Sequence, residues 1–479
     1  MNEGIADFVG RAREYVALYE HFQNLGMICR QGDFFPGIAY PPVTMYPPID
    51  PDTLLEGYCP PRDGAFDLYL HVPFCDRCCT YCHYPVQVRP DEAAISAMLE
   101  ALVGELDLYL RRFALGRLKV RSILLGGGTP TYLQPAVLDH FLGQVASRID
   151  TTAGTQFNVD LDPQTMLGTI GAERLSVLAA HGVDRLTIGI NSFDDRILAH
   201  MNRPHDAAEA VIAIRRAQEV GFQLDIEFIF GYPHQTLESW TDTMMQAIAL
   251  QPEEIQIYRL KVKPYGDRTG TITRMIERKQ IVQPEWQQAI LMKRCAHLLF
   301  EADGRVQTLI RVFAKDPNIY SRYAESLDCT LRDLLALGPT AFSSFPDRFF
   351  LNCGDFRTYI ERIRSGCLAI DRGVLRNREQ QVRWALALPL RCRSVRRGPF
   401  ERQTGVALDR VFPLKLRRLE DHGLLTRDAE GVALTPRGRF FADEIALQFY
   451  QPQFQPFPRA DYREGPLNPY HDSEQAVVV

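Results

Sequence analysis

Four cysteines, Cys75, Cys78, Cys79 and Cys82, stand within eight residues in the run HVPFCDRCCTYCHYPV. The other seven of the eleven cysteines (Cys29, Cys59, Cys295, Cys329, Cys353, Cys367 and Cys392) are scattered singly. Such clustering in a long chain points to a metal or redox site rather than a disulfide framework, and the scattered seven read as small buried hydrophobes. Cys75, Cys79 and Cys82 have the spacing C-x3-C-x2-C, and Tyr81 precedes the last of them. Three thiolates on a four-iron cluster leave one iron without a protein ligand, an open position where a substrate or cofactor can coordinate. Zinc would need a fourth ligand, which only Cys78 or His83 could supply locally. A redox dithiol is available as Cys75/Cys78 or Cys79/Cys82.

The elements around this loop are short apolar or β-branched runs alternating with amphipathic stretches. Strands are expected at FDLYLHV (66–72), RSILLGG (121–127), FNVDLD (157–162), RLTIGI (185–190), LDIEFIF (224–230) and EIQIYRL (254–260). Helical patterns lie between them, among them AISAMLEALVGELDLYLRRF and AAEAVIAIRRAQEVG, the latter closed by Gly221 as a C-cap. Strands alternating with helices imply right-handed βα units and a parallel sheet buried on both faces. Active residues are then expected at the C-terminal ends of the strands.

The first sixty or so residues begin with a helical stretch and become Pro- and Gly-rich, DFFPGIAYPPVTMYPPIDPDTLLEGYCPPRDG, which reads as an irregular arm lying on the main domain. Beyond about residue 265 the regularity fades. Near the end, FERQTGVALDRVFPLKLRRLEDHGLL, TRDAEGVALT and PRGRFFADEIALQFY read as helix, hairpin and helix, an order that suits a winged-helix-like module. Few basic residues share a helical face there, which favours accessory packing over DNA binding. Arg391, Arg393, Arg396 and Arg397 read as a solvated linker, and the last residues as an extended tail. A net charge of −5 leaves no nucleic-acid footprint, and no apolar run is long enough to span a bilayer. With no signal-peptide pattern at the N-terminus, a cytoplasmic protein is expected.

Six pieces, YLHVPFCDRCCTYC, LLGGGTPTYL, VDLDP, GVDRLTIGINSFDDRILAHMNR, FIFGYPHQTLESW and LTPRGRFFADEIALQF, occur in order from about residue 66 to 450. Together they resemble the radical S-adenosylmethionine (SAM) superfamily, and within it the oxygen-independent coproporphyrinogen III oxidase-like branch. The resemblance implies an α/β fold, a parallel (β/α)6 partial TIM-type barrel with an N-terminal arm and a small C-terminal winged-helix-like domain. The expected divisions are an arm at 1–62, a core at 63–265, a substrate-side extension at 266–375, the C-terminal domain at 376–450 and a tail at 451–479. It further implies that Cys75, Cys79 and Cys82 hold a 4Fe-4S cluster, whose open iron is chelated by SAM. Reductive cleavage of SAM would then give a 5′-deoxyadenosyl radical that abstracts hydrogen. Gly126, Gly127, Gly128 and Thr129 are expected beside the methionine part of SAM, where missing side chains let backbone approach. Asp160, Asn191 and Glu227 stand in slots the family typically fills with Glu, Gln and Asp, and Arg203 matches outright; ribose hydroxyls and SAM's carboxylate are their expected partners. Tyr69 and Tyr81 are expected to flank the cluster or adenine.

The chain departs from its namesake in two places. Cys82-His83-Tyr84 lacks the further cysteine of a CxC arrangement, and DRFFLNCGDF lacks the HNxxYW-type element of the heme-chaperone relatives. Both absences argue against porphyrinogen decarboxylation and heme delivery. Cys78 is extra, a thiol inside the loop that could face a substrate. The expected activity is hydrogen abstraction from a small or heterocyclic substrate, with methyl or methylene transfer as one outcome. The alternatives are transfer of SAM's 3-amino-3-carboxypropyl group to sulfur or arsenic held by Cys78, and a heme or cofactor carrier. One SAM, or two as in some relatives, and a reductase or flavodoxin-type electron donor complete the expectation. YRLKVKPYGDRTGTITRM, after the sixth strand, is where the family contacts substrate.

Overall fold

Residues that alternate or run apolar between Gly, Pro and Asp punctuation form the strands. The computed structural model describes residues 2–30, 39–262 and 270–470, with the side chains of residues 2–7 left out. Part of the Pro-rich arm, most of KVKPYGDRT and the final nine residues lie outside the described residues. The six core strands are β1 (Ala65–Val72), β2 (Leu118–Gly127), β3 (Gln156–Leu161), β4 (Arg185–Asn191), β5 (Gln223–Phe230) and β6 (Glu254–Arg259). Each pairs in parallel with the next. The crossovers carry α2 (Glu92–Arg112), α3 (Pro135–Ala146), α4 (Gly168–Ala180), α5 (Ala207–Val220) and α6 (Leu237–Ala249), behind α1 (Asn2–Asn24) at the start of the chain. Asp206 and Glu209 form a reciprocal capping box at the start of α5, and Gly221 ends it in the left-handed region at φ 97°.

The sheet does not stop at β6. Two short strands, β7 (Val306–Leu309) and β8 (Val312–Ala314), add antiparallel outside β6. At the other edge β9 (Leu334–Leu337) pairs in parallel with β1, and β10 (Phe342–Phe345), β11 (Arg348–Asn352) and β12 (Ile370–Leu375) follow antiparallel. The strand path β7-β8-β6-β5-β4-β3-β2-β1-β9-β10-β11-β12 has two free ends, so the sheet is open. The sheet thus runs past residue 265, where the core was expected to end: residues 306–375, the expected extension, continue it on both flanks. Their strands are four to six residues or shorter, and lack the long βα period that marks the core.

The arm is also more integrated than an overlay. Pro47 O accepts from Gly373 N, and Ile49 N donates to Asp371 O, so the arm covers the outer edge of β12. Tyr19 of α1 stacks on Trp286 of α7 (Trp286–Ala302) with ring centroids 4.6 Å apart. Tyr19 and Phe22 share a core cluster with Trp384, Phe412 and Phe441, so α1 packs against the C-terminal domain. That domain holds α9 (Arg378–Cys392), after α8 (Phe356–Arg364), then β13 (Ser394–Arg396), α10 (Arg397–Thr404) and α11 (Pro413–Asp421). A hairpin of β14 (Leu425–Arg427) and β15 (Gly431–Leu434) completes a three-stranded sheet in the order β13-β15-β14, the winged-helix-like arrangement expected.

Three further expectations are corrected. Residues 451–470 are packed rather than loose: Tyr462, Leu467 and Asn468 are buried, and Leu467 N donates to Leu25 O. Arg391 is buried, Arg393 lies over the Tyr320 ring and Arg397 pairs with Asp409, leaving Arg396 as the exposed member of that cluster. Of the scattered cysteines, Cys59 and Cys367 are exposed. Among the described residues no helix is long and apolar enough to cross a membrane.

Candidate active site

The cysteine loop leaves the C-terminal end of β1 and is fastened on several sides. Phe74–Cys75 pairs with Gln87–Val88, which closes the loop on itself. Gly128 N donates to Val72 O at 2.8 Å and Thr129 N to Phe74 O at 2.7 Å, tying the turn after β2 to the loop's entry. The Cys75 thiol lies 3.7 Å from the Thr129 hydroxyl. On the far side Thr80 N donates to Met201 O, Ile272 N to Thr80 O, and the Asn202 side-chain amide to Cys78 O. Thr80 Oγ1 also meets Tyr232 OH at 2.8 Å.

The glycines of the turn have tight reasons. A Cβ on Gly126 would sit 2.5 Å from Asp160 Oδ2, and one on Gly128 would sit 2.6 Å from Phe74 O. Gly127, at φ 108°, has the His71 ring 2.7 Å from where its Cβ would be. The space expected for approach of SAM is thus filled on the Cβ side by the protein itself. The turn is pressed onto β1 and the entry of the cysteine loop, with Asp160 of β3 on its other side.

Arg203 is the hub between the loop and the core sheet. Its Nη2 lies 2.6 Å from Asp162 Oδ2, and its Nη1 donates to Cys79 Sγ at 3.2 Å and to Tyr81 OH at 3.3 Å. Burial opposes ionisation of Asp162, but Arg203 and His205 outweigh it and hold the carboxyl below its ordinary range. Asp162 was missed in the sequence although it stands in VDLDP; alternation from Asp160 puts it on the same face. Asn191, at φ 70°, turns its amide back onto Gly189 O, which also accepts from Arg203. Tyr81 packs beside the cluster of Ile197, Met201 and Tyr232.

Asp160 and Glu227 lie elsewhere, in a cavity of about 760 Å³ lined from the strand interior. Parallel register sets Asp160, Thr187, Asp225 and Glu254 in one row across β3 to β6, with Gly189, Glu227 and Gln256 in the next. Arg185 occupies the centre, donating to Glu254 Oε2 at 2.7 Å, Asp225 Oδ2 at 3.0 Å and Thr187 Oγ1 at 2.8 Å. Burial pushes Asp160 up to about 7 and Glu227 up to about 7, Glu227 also because Asp160 faces it. Tyr258 OH donates to Glu227 Oε1 at 3.2 Å. Tyr69 lines the same cavity and its hydroxyl meets His71 Nδ1 at 2.9 Å, while burial brings His71 down to about 4 and keeps it neutral.

Cys75, Cys79 and Cys82 are half-buried, whereas Cys78 is exposed and its thiol lies 3.7 Å from Cys79 O. Cys78, expected to face a substrate, has loop backbone beside its thiol, and its own carbonyl accepts from the Asn202 side-chain amide. Burial pushes the Cys75 thiol up to about 11 and Cys82 up to about 12, so a bound metal would displace protons from both. Among the described residues, no three His, Cys, Asp or Glu side chains converge on one point as a single metal ion requires. Three soft donors on one fastened loop instead suit a multi-iron cluster, whose ligands bind separate irons.

The family profile described as the radical SAM superfamily matches residues 69–247, and that of the HemN C-terminal domain matches residues 377–441. The oxygen-independent coproporphyrinogen III oxidase of Paracoccus denitrificans is 26% identical over 81% of this chain and 87% of its own length. The heme chaperone HemW of Bacillus subtilis is 25% identical over 79% of this chain and 97% of its own. The solved structure of coproporphyrinogen III oxidase (HemN) from Escherichia coli superposes with a TM-score of 0.72 at 23% identity, covering 88% of this chain and 99% of that one. That likeness shows the fold, an α/β architecture on a mostly parallel central sheet. The cofactors are those of the superfamily, a 4Fe-4S cluster and SAM. With both domains matched in order on this fold, the chain belongs to the radical SAM superfamily, as an enzyme of its oxygen-independent coproporphyrinogen III oxidase-like branch.

Proposed function

We propose that the chain holds its 4Fe-4S cluster through Cys75, Cys79 and Cys82, and acts on a small or heterocyclic substrate in the cavity at the strand ends. The observation carrying this reading is the 3.2 Å contact from Arg203 to Cys79 Sγ, made by a guanidinium whose charge Asp162 balances. When bound, the cluster and SAM supply one-electron cleavage to a 5′-deoxyadenosyl radical, which takes a hydrogen atom from substrate. Arg203 would hold SAM's carboxylate beside the cysteine loop, and the Gly126–Thr129 turn would offer backbone to its amino group. Asp160 and Glu227, both near neutrality in their pKa, can accept ribose hydroxyls as carboxylates or donate to them as acids. Methyl or methylene transfer is one fate of the substrate radical; the electron comes from a reductase or flavodoxin-type donor.

The test is anaerobic reconstitution with iron and sulfide, then SAM and dithionite. The reading expects 5′-deoxyadenosine; methylthioadenosine would point instead to aminocarboxypropyl transfer. A second reading, a heme or cofactor carrier, is favoured by the heme chaperone match over 97% of that protein. Hemin titration followed by the Soret band separates the two: stoichiometric heme binding without deoxyadenosine would establish the carrier.

A further inference from the structure

The strand interior holds more buried acid than its own cation satisfies. Parallel register sets Asp160, Asp225 and Glu254 in one row, with Thr187 between the first two. Glu227 follows Asp225 by two residues on β5 and so shares its face. Arg185 is the cation in contact with this row, and each of its nitrogens is engaged: Nε donates to Glu254 Oε2, Nη1 to Thr187 Oγ1 and Nη2 to Asp225 Oδ2. Two carboxyl oxygens are left over. Asp225 Oδ1 and Glu254 Oε1 are buried without a hydrogen-bond partner, on residues 1% and 0% exposed. Of the two, Asp225 lines the cavity, as do Asp160 and Glu227. Arg311 and Arg391, also on the cavity wall, pair with Asp443.

Buried carboxyl groups in such excess are costly as ions unless a cation joins them. Burial raises Asp225 well above the carboxylate range, and Glu254 and Glu227 add to it against the pull of Arg185. Tyrosine rings cover the same wall. Tyr69 and Tyr323 lie with ring centroids 5.8 Å apart, Tyr258 donates to Glu227, and all three line the cavity. Aromatic faces beside acids favour a cation with some apolar body. Among the described residues no three acids converge as a metal ion requires, which leaves an organic cation.

We infer, resting on the reading of this cavity as the substrate site, that the substrate carries a protonated amine that donates to Asp225 Oδ1 among the tyrosine rings. Asp160 and Glu227 are given to the ribose hydroxyls of SAM, so Asp225 is the carboxylate that remains for the substrate. An ammonium supplies the donor that Oδ1 lacks and the charge that favours its ionised form.

Calorimetry tests this by titrating 1-naphthylmethylamine and the neutral 1-naphthylmethanol into reconstituted full-length holoenzyme saturated with SAM, so that the ribose contacts are already occupied. The amine is expected to bind about tenfold more tightly than the alcohol. Asp225→Asn is expected to bring the two within about twofold of each other. If Asp225→Asn fails to fold, Tyr323→Leu, which lies outside the Arg185 network, decides, with an expected fall of about threefold in the same ratio. Equal binding of the two probes, no binding of the amine, or a deciding variant that keeps the wild-type ratio would overturn the inference. Wild-type holoenzyme that cleaves SAM without preferring the amine defeats this inference alone; protein that neither assembles the cluster nor cleaves SAM defeats the functional reading beneath it.

Discussion

Arg203 donates to Cys79 Sγ at 3.2 Å from a guanidinium whose other nitrogen rests 2.6 Å from Asp162. The contact joins residues 124 positions apart and couples the segment after the short helix Asp195–His200 to the cysteine loop. A cation fixed beside a ligand sulfur stabilises thiolate charge and remains available to an incoming carboxylate.

Asp162→Asn is expected to leave iron content near wild type, because Asp162 touches none of the cysteines, and to weaken SAM binding by about tenfold through loss of the charge that positions Arg203. Equilibrium dialysis with labelled SAM measures it. Unchanged affinity would show that Arg203 is held by Gly189 O without need of Asp162.

Single Cys75→Ala, Cys79→Ala and Cys82→Ala variants are expected to lose the brown iron–sulfur chromophore, while Cys78→Ala keeps it. Iron per chain and visible absorbance after reconstitution decide this. Loss of iron in Cys78→Ala would assign the exposed thiol to the cluster.

Gly128→Ala would drive a methyl into Phe74 O, where the turn donates backbone hydrogen bonds to Val72 O and Phe74 O. Neither side can yield as a flexible side chain would. We expect a destabilisation of about 1–3 kcal/mol and poor cluster assembly, read by chemical denaturation and iron content. Gly143→Ala, inside α3 with nothing near its Cβ, is the control and should assemble the cluster like wild type with stability equal to it or about 0.5–1 kcal/mol higher.

Glu105 is buried, accepts from Gly338 N at 2.8 Å, Asn352 Nδ2 at 2.7 Å and Tyr359 OH at 2.6 Å, and is nonetheless pushed up to about 7 by burial. Burial raises Asp160, Glu227 and Glu444 to about 7 as well. An acid whose folded pKa is raised binds more protons folded than unfolded, so its stabilising share is complete below its unfolded pKa and is lost as pH rises through about 7. For Glu105 alone the loss is about 3 kcal/mol. Denaturant midpoints of cluster-free protein are expected to fall from pH 5 to pH 8, and Glu105→Gln should flatten that fall. An identical slope in the variant would exclude Glu105 as its source.

The sequence by itself determined the cysteine loop, the six parallel strands and the winged-helix-like domain, because each is written in local spacing: thiols at fixed intervals, apolar runs with period two, caps at helix ends. Gly221 was legible as a C-cap for that reason. What only the tertiary structure decided are relationships between distant positions. The pairing of β9 with β1 rests on Asp67 meeting Leu334, and no local pattern encodes a partner so far along the chain. Arg391 looked like part of a solvated basic run; its burial follows from Asp443 and Asp328 in other elements, which supply the charge that lets an arginine leave water. The residues quoted for SAM also divided in space, with Arg203 and Tyr81 against the cysteine loop and Asp160, Glu227 and Tyr69 lining the cavity. Side-chain chemistry can be read along a chain, but which charges face one another is fixed only when the strands are laid side by side.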